Sequence, residues 1–357
     1  MKILWLVHLE PDFGEAMLYD GLCRVLGDEN VVDFPYKYAY HGQVERVQNK
    51  NVRKYLEAPE APLNFCGTDP RSYLMQASQY SAPFEWMISH KGFDYEYADI
   101  MSMVNRKCFD LIVLAAPRSI AIWFLEILFK DLGNIHQKSP VVMCDFEDYY
   151  ELRHDIFQKF SINLAFKSAY VQNEPNVYGL PLCSPIIDNP NLRFDDSHKT
   201  IHVTARWGLT HPLRSKVLNE IKNIQAIVKT DRSLSYREYL KDIALSKIGV
   251  SMGGHGSLNR NPNRQWEIPS YKTMMICENP NINYVHPFEN GKHCVFFDPN
   301  LDGDAKQKIE YYINHDRERQ DIANAGHEHL KKYHTTAARA KYFLDVCMKY
   351  YPQLKGK

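Results

Sequence analysis

The sequence predicts an α/β protein made of two doubly wound domains, and three observations carry that expectation. A chain of 357 residues is too long for one small domain and comfortable for two, each able to bury a core. Its first 34 residues read as a strand, a helix and a second strand. Further on, Ile248-Gly249-Val250 runs straight into the glycine-rich Ser251-Met252-Gly253-Gly254-His255-Gly256, followed by a short helix and another apolar run, Thr273 to Cys277. That order of strand, loop, helix and strand is typical of a doubly wound sheet, whose ligands bind beyond the carboxyl ends of its strands.

Taken in order, Lys2 to His8 is a continuous apolar run, as suits a strand covered on both faces, with His8 at its carboxyl end. Met17, Leu18, Leu22, Val25 and Leu26 recur at helical spacing over 14–26, and Gly27 stops the helix. Val31-Val32-Asp33-Phe34 is a second strand, and the unit lacks the GxGxxG fingerprint of a dinucleotide site. Residues 35–106, rich in Tyr, Asn, Gln and Pro, contain no long periodic segment and read as an irregular insertion. Phe109 to Ala115 is the clearest strand, followed by the turn Pro117-Arg118-Ser119 and a helix over 120–132. Pro140 to Cys144 is another, ending in Asp145-Phe146-Glu147-Asp148, and Ile162 to Lys167 and Val177 to Cys183 are two short ones. The turn residues Asp188-Asn189-Pro190-Asn191 mark a linker and place a domain boundary near residue 195.

The second half opens with a strand over 199–205 and the loop Arg206 to Arg214, then a helix over 217–224, a strand over 226–228 and an amphipathic helix over 235–246. The apolar face of that last helix is Tyr236, Tyr239, Leu240, Ile243 and Ala244. After the 248–277 unit come helices over 305–313, 317–333 and 337–350. His327 and His329 stand two apart, so on a helix they point to different faces; solvent exposure, not metal binding, is the expectation for them.

The chemistry is concentrated around residue 260. Glycines 253 and 254 let backbone approach a ligand closely, and His255 lies between glycines. Arg260 and Arg264 precede Gln265-Trp266-Glu267-Ile268-Pro269, where Pro269 limits the helix to starting near Gln265 or Trp266. Glu267 then sits in the first turn, where the helix dipole favours a carboxylate. Backbone N–H groups and arginine forks suit phosphate oxygens, and a carboxylate accepts two ribose hydroxyls, so the ligand class is a nucleotide.

Tyr236-Arg237-Glu238-Tyr239-Leu240, Ser246 to Val250, Arg264 to Ile268, Phe288 to Phe297, Ile309 to Tyr312, Tyr333-His334 and Arg339-Ala340 form an ordered series. Over residues 235–345 that series resembles the carboxy-terminal half of the CgeB-like, group 1 glycosyltransferases. The resemblance implies a GT-B fold, two Rossmann-like domains facing a central cleft. It implies an acceptor-side domain over 1–195, a donor-binding domain over 196–336, and a terminal helix, 337–357, that returns to the first domain. The reaction implied is transfer of a sugar from a nucleotide donor, UDP- or GDP-linked, to a glycan, lipid-linked or protein acceptor. No metal is implied, because arginines and a helix end neutralise the leaving diphosphate; Arg206 and Arg214, in a loop similar to the family's, are candidate contacts. The wider group places a second glutamate where Asn259 stands, and a glycine where Lys272 stands.

For catalysis the candidates are His8, since an unperturbed imidazole titrates near neutral pH, and the acids Asp145 and Glu147 at a strand's carboxyl end. Trp86 and the tyrosines of the insertion offer stacking faces for an acceptor sugar. A nucleotide-sugar epimerase of the same architecture is the second reading, working through paired acids such as Asp145 and Glu147. A non-catalytic nucleotide-sugar binder, suggested by Asn259, is the third. Lys plus Arg equals Asp plus Glu at 43 each, which argues against a general nucleic-acid binder. Eight scattered cysteines read as reduced core residues, and acidic residues follow the start too soon for a signal peptide, so the expectation is cytoplasmic. The greasiest run, 120–129, is broken by Glu126 and too short to span a bilayer, which leaves only peripheral membrane contact open.

Overall fold

The computed structural model describes residues 1–8, 12–41, 89–147, 149–231, 234–254 and 262–357. Two parallel sheets organise them. The first has six strands in the order β2-β1-β3-β4-β5-β6: β1 Ile3–Leu6, β2 Val31–Phe34, β3 Leu111–Leu114, β4 Val141–Asp145, β5 Ala165–Lys167 and β6 Val177–Gly179. The second has five in the order β11-β10-β9-β7-β8: β7 Ile201–Thr204, β8 Val228–Lys229, β9 Ser246–Ser251, β10 Met274–Glu278 and β11 Val295–Phe297. Strand order reverses between β1 and β3 in one sheet and between β7 and β9 in the other, and a crevice opens at such points.

Side-chain alternation divides β1 between two cores. Ile3, Trp5 and Val7 face one and Leu4 and Leu6 the other, all fully buried, as the two-residue period of a strand requires. The helices begin and end on chemistry legible in the chain. In α1, Phe13–Leu26, the Asp12 carboxylate accepts the Glu15 N–H at 2.9 Å, and Gly27 follows at φ 91°. Ser235 and Glu238 form a reciprocal cap on α6, Tyr236–Ala244, and Pro212 opens α5, Pro212–Lys222. Lys272 holds φ 48°, the left-handed turn that a glycine fills in the wider group named above.

Residues 35–106 are not irregular at their described ends. Tyr36, Lys37 and Tyr40 are buried in the first domain, with the Lys37 ammonium 2.5 Å from the fully buried Glu15 carboxylate. A helix, α2 at Tyr97–Asn105, closes the segment; its Glu96 and Asp99 cap each other, and its apolar side is only Ile100, Met103 and Val104, too short a stripe to stand out. His90 ties the returning chain down through Asp20 at 2.8 Å and Asp28 at 2.9 Å. Trp86 lies outside the described residues. Two further helices, α3 Ser119–Leu132 and α4 His154–Phe160, follow β3 and β4.

The terminal helices are α8 Asp304–Asn314, α9 Asp316–Tyr333 and α10 Thr336–Tyr350. Helix α10 leaves the second sheet and lies against α1 of the first. A Cβ on Gly21 would come within 2.1 Å of the Thr336 carbonyl oxygen, so the two helices touch backbone to backbone at that point. Beside it the Thr336 hydroxyl donates to Asp20 at 2.7 Å.

His327 and His329 are half-buried, not solvent-exposed as expected. His327 Nδ1 lies 2.8 Å from the Pro269 carbonyl and His329 Nε2 lies 2.9 Å from that of His286, because α9 packs both faces against chain returning from the second sheet. His293 stacks on His329 at 4.0 Å. Burial, then the neighbouring His329, pushes the His293 pKa down to about 4, and burial lowers His329 and His334 as well.

Two outcomes follow from this packing. Gly21→Ala forces α10 off α1 and should cost about 1–3 kcal/mol of stability, the usual range for overpacking, read as a lower urea midpoint. The histidines are neutral in the fold and take up protons on unfolding. Their contribution is therefore complete above the ordinary value of 6.5 and drains as pH falls toward about 4. Burial of Asp12, Asp145 and Glu267 raises their pKa and works in the opposite direction, so the informative quantity is a difference. The fall in Tm between pH 7 and pH 5 should be shallower in His293→Phe than in the unaltered protein.

Candidate active site

At the switch point of the first sheet a cavity of about 720 Å³ opens beyond the ends of β1, β3, β4 and β5. His8, Asp145 and Glu147 all line it, together with Arg118, Arg153 and Lys167. They are not equivalent. Asp145 is 1% exposed; it pairs with the fully buried Lys167 ammonium at 3.0 Å and accepts the Glu147 N–H at 2.9 Å. Burial pushes its carboxyl up, and the Lys167 charge opposes that. His8 is equally buried, its backbone N–H directed at Glu15 at 3.4 Å. Glu147 keeps 34% of its side chain exposed, with Oε1 held by Arg118 Nε at 2.5 Å, and Arg118 in turn reaches Asp12 at 3.3 Å. Glu147 is thus anchored through an arginine to the cap of α1, while the exposed Glu151 also lines the cavity. Tyr149, 54% exposed, stands on the same rim.

At the switch point of the second sheet the loops after β7 and β9 meet. Arg214 is their clamp: Nε donates to the Gly253 carbonyl at 2.5 Å, one Nη to Met252 O at 2.8 Å, and the other to Gly208 O at 2.9 Å and the Thr210 hydroxyl at 3.1 Å. Gly254 is glycine because of this arginine; a Cβ there would lie 2.2 Å from the guanidinium carbon. The Gly253 N–H donates to buried Glu278 at 3.0 Å. Arg206 is 7% exposed, paired with Asp242 and bonded to the Asp231 carbonyl. Both arginines, expected as diphosphate contacts, are engaged within the protein, as burial of a guanidinium favours, although Arg206 Nε meets no acceptor among the described residues. Sequence could not show that, because those acceptors are mostly backbone carbonyls of distant loops.

The helix α7, Arg264–Ser270, starts one residue earlier than expected and places Glu267 in its first turn. Glu267 is 5% exposed, and its two oxygens accept the hydroxyls of Tyr236 at 3.0 Å and Tyr239 at 2.8 Å from α6. Burial raises its pKa, while the Tyr239 hydroxyl, the Arg264 charge and the Tyr236 hydroxyl pull it back. Arg264 donates to the Met252 carbonyl at 3.3 Å, and among the described residues its Nε meets no acceptor. His255 and Arg260, like Asn259, lie outside the described residues. In the sequence the two tyrosines, at i and i+3, read as the apolar face of α6; their rings do pack inward, and only their hydroxyls reach the acid. Lys167, a lone cation directly after the apolar run Leu164-Ala165-Phe166, is a sequence signal for this cavity.

Among the described residues no helix is long and apolar enough to cross a membrane. No curated protein matches the chain. Its residues 203–345 match a sequence family described as glycosyl transferase-like. By structure it is similar to HepE of Anabaena solved with UDP, at a TM-score of 0.57 and 11% identity over 98% of this chain and 100% of that one. It is similar also to a glycosyltransferase of Rickettsia africae ESF-5, at 0.56 and 11% over 100% and 99%. A third likeness is to an alpha-glucosyltransferase solved with UDP, at 0.54 and 11% over 96% and 98%. The doubly wound sheets are thus the two halves of a GT-B fold, and the family match in the second half makes this chain a glycosyltransferase.

Proposed function

We propose that the protein moves a sugar from a nucleoside diphosphate, UDP- or GDP-linked, to a carbohydrate hydroxyl. The donor lies at the second switch point and the acceptor in the cavity of the first. The observation that carries the reading is the buried carboxylate of Glu267. An ionised carboxylate offers about four lone-pair positions, and the two tyrosines occupy two of them. The remaining pair suits a ribose diol, and the tyrosines keep the carboxylate from turning away. Arg264, with its Nε lacking an acceptor among the described residues, is the cation placed to meet the departing diphosphate. Arginine charge at that position does the work that a metal does elsewhere, stabilising negative charge as the sugar–phosphate bond breaks.

On the acceptor side Tyr149 supplies an exposed ring on which a sugar face can lie, and Glu147 a carboxylate for its hydroxyls. Where the transfer inverts the anomeric carbon, the acceptor oxygen attacks it and Glu147 takes the hydroxyl proton. Asp145 and His8 suit that task less well, one paired with Lys167 and both nearly inaccessible. The same pairing disfavours an epimerase, whose two acids would have to act on either side of one sugar.

Two substitutions separate the halves. Glu267→Gln should markedly reduce the thermal shift produced by UDP or GDP, which for a tight ligand at a hundredfold excess over Kd is worth about 2.7 kcal/mol. A full shift in that variant removes the ribose role. Glu147→Gln should leave the nucleotide shift intact and lower kcat by about 10²–10⁴ if proton transfer is its task. Release of free nucleotide, followed with and without an oligosaccharide acceptor, is the measurement.

A further inference from the structure

The chain passes between the sheets twice, once after β6 and once into α10, and the two passages meet on the helix that carries Glu267. Ser184, on the first passage, donates its N–H to the His334 carbonyl at 2.8 Å and forms a bridge with Thr335 on the second. Its hydroxyl lies 2.7 Å from that of Ser270, which donates to the Trp266 carbonyl at 2.7 Å. From the other side His334 packs on the Trp266 indole at 5.1 Å. His334 Nδ1 accepts from Arg339 at 2.7 Å, so the other ring nitrogen carries the proton and donates to the His286 carbonyl at 2.8 Å.

Arg339 is the odd member of this joint. It is 1% exposed and sits over the rings of Trp266 at 5.6 Å and Tyr284 at 5.8 Å. Among the described residues it makes no ion pair, and its Nε and one Nη find no acceptor. A guanidinium stripped of water and left without a carboxylate is a poor way to stabilise a fold; an apolar side chain of the same volume is often neutral or better. What it does supply is a planar cation against the face of the residue that precedes Glu267.

We propose that Arg339 is a positioning residue for donor binding: from the returning helix it holds Trp266, and through it α7, so that Glu267 is set for the nucleotide only while the two interdomain passages are clasped together. This rests on the reading of Glu267 as the ribose contact. The coupling runs through packing, because Arg339 itself does not touch the carboxylate.

The test uses the full chain with Arg339→Met and Arg339→Lys, measuring apo Tm, Kd for UDP and GDP by calorimetry, and donor KM against kcat. The expected result is an apo Tm unchanged or raised in Arg339→Met, with Kd and donor KM weakened about tenfold or more, ~1.4 kcal/mol, and kcat at saturating donor largely kept. Arg339→Lys, which keeps charge but loses the planar stack, should weaken binding too and serves if the methionine variant does not fold. A double-mutant cycle with Trp266→Phe should show the two effects to be non-additive. A lower Tm with unchanged nucleotide affinity, or failure of both variants to fold, assigns Arg339 to stability alone and overturns the proposal. If the unaltered protein binds neither nucleotide, the reading of Glu267 fails and takes this one with it; if it binds and both variants bind equally well, only the role of Arg339 fails.

Discussion

Helix α10 can reach the first domain only because Gly21 has no side chain. With the Thr336 carbonyl pressed into the space a Cβ would fill, α1 and α10 approach backbone to backbone, and the Thr336 hydroxyl is delivered to the buried Asp20 carboxylate. Much else hangs on that approach. It brings Phe343 against Phe166 of β5 at 4.7 Å, and it holds the His334-Arg339 segment over Trp266. The apolar cluster that results runs without a break from β1 and α1 through α10 to α6, α7 and β10, so the two halves share a core as well as a cleft.

Within that frame the polar groups at the strand ends follow a pattern. Most of the buried charges there have a specific partner inside the protein, unlike Arg339 on the returning helix. Asp145 has Lys167, Glu15 has Lys37, Arg206 has Asp242, and Arg214 has a ring of carbonyl and hydroxyl acceptors. Glu147 and Tyr149 instead reach the cavity, the first steadied by Arg118. Glu267 is a third kind, a buried acid whose oxygens are taken by neutral hydroxyls, so its charge is oriented but not cancelled. Such an arrangement costs stability where it stands, which is why it reads as a site and not as filler.

The distribution of close backbone approaches agrees with this division. Where tight backbone contact is needed for architecture, at Gly21, a glycine supplies it; where it is needed to lodge a guanidinium, Gly254 does the same beneath Arg214. The second of these looked in the sequence like a ligand-binding glycine. In three dimensions the neighbour filling the space is the protein's own arginine.

The sequence by itself determined the parts of this molecule that depend on near neighbours: parallel strands as continuous apolar runs, helices bounded by Ser235 and Gly27, the first-turn position of Glu267, and the placing of His8, Asp145 and Glu147 at strand ends. Hydrophobic period and capping chemistry act over a few residues, so one chain suffices to read them. The short α2 and α4 were invisible because their apolar stripes are brief, and helix there is stabilised by the sheet they cover. Only the tertiary structure decided which charged groups have partners inside the protein. Arg206 and Arg214 were indistinguishable from phosphate ligands until distant loops supplied their acceptors, and Tyr236 and Tyr239 became partners of Glu267 only when α6 was laid against α7. A side chain's type is written in the chain, but its burial and its partners come from residues tens or hundreds of positions away, and those two quantities set its charge, its orientation and its work.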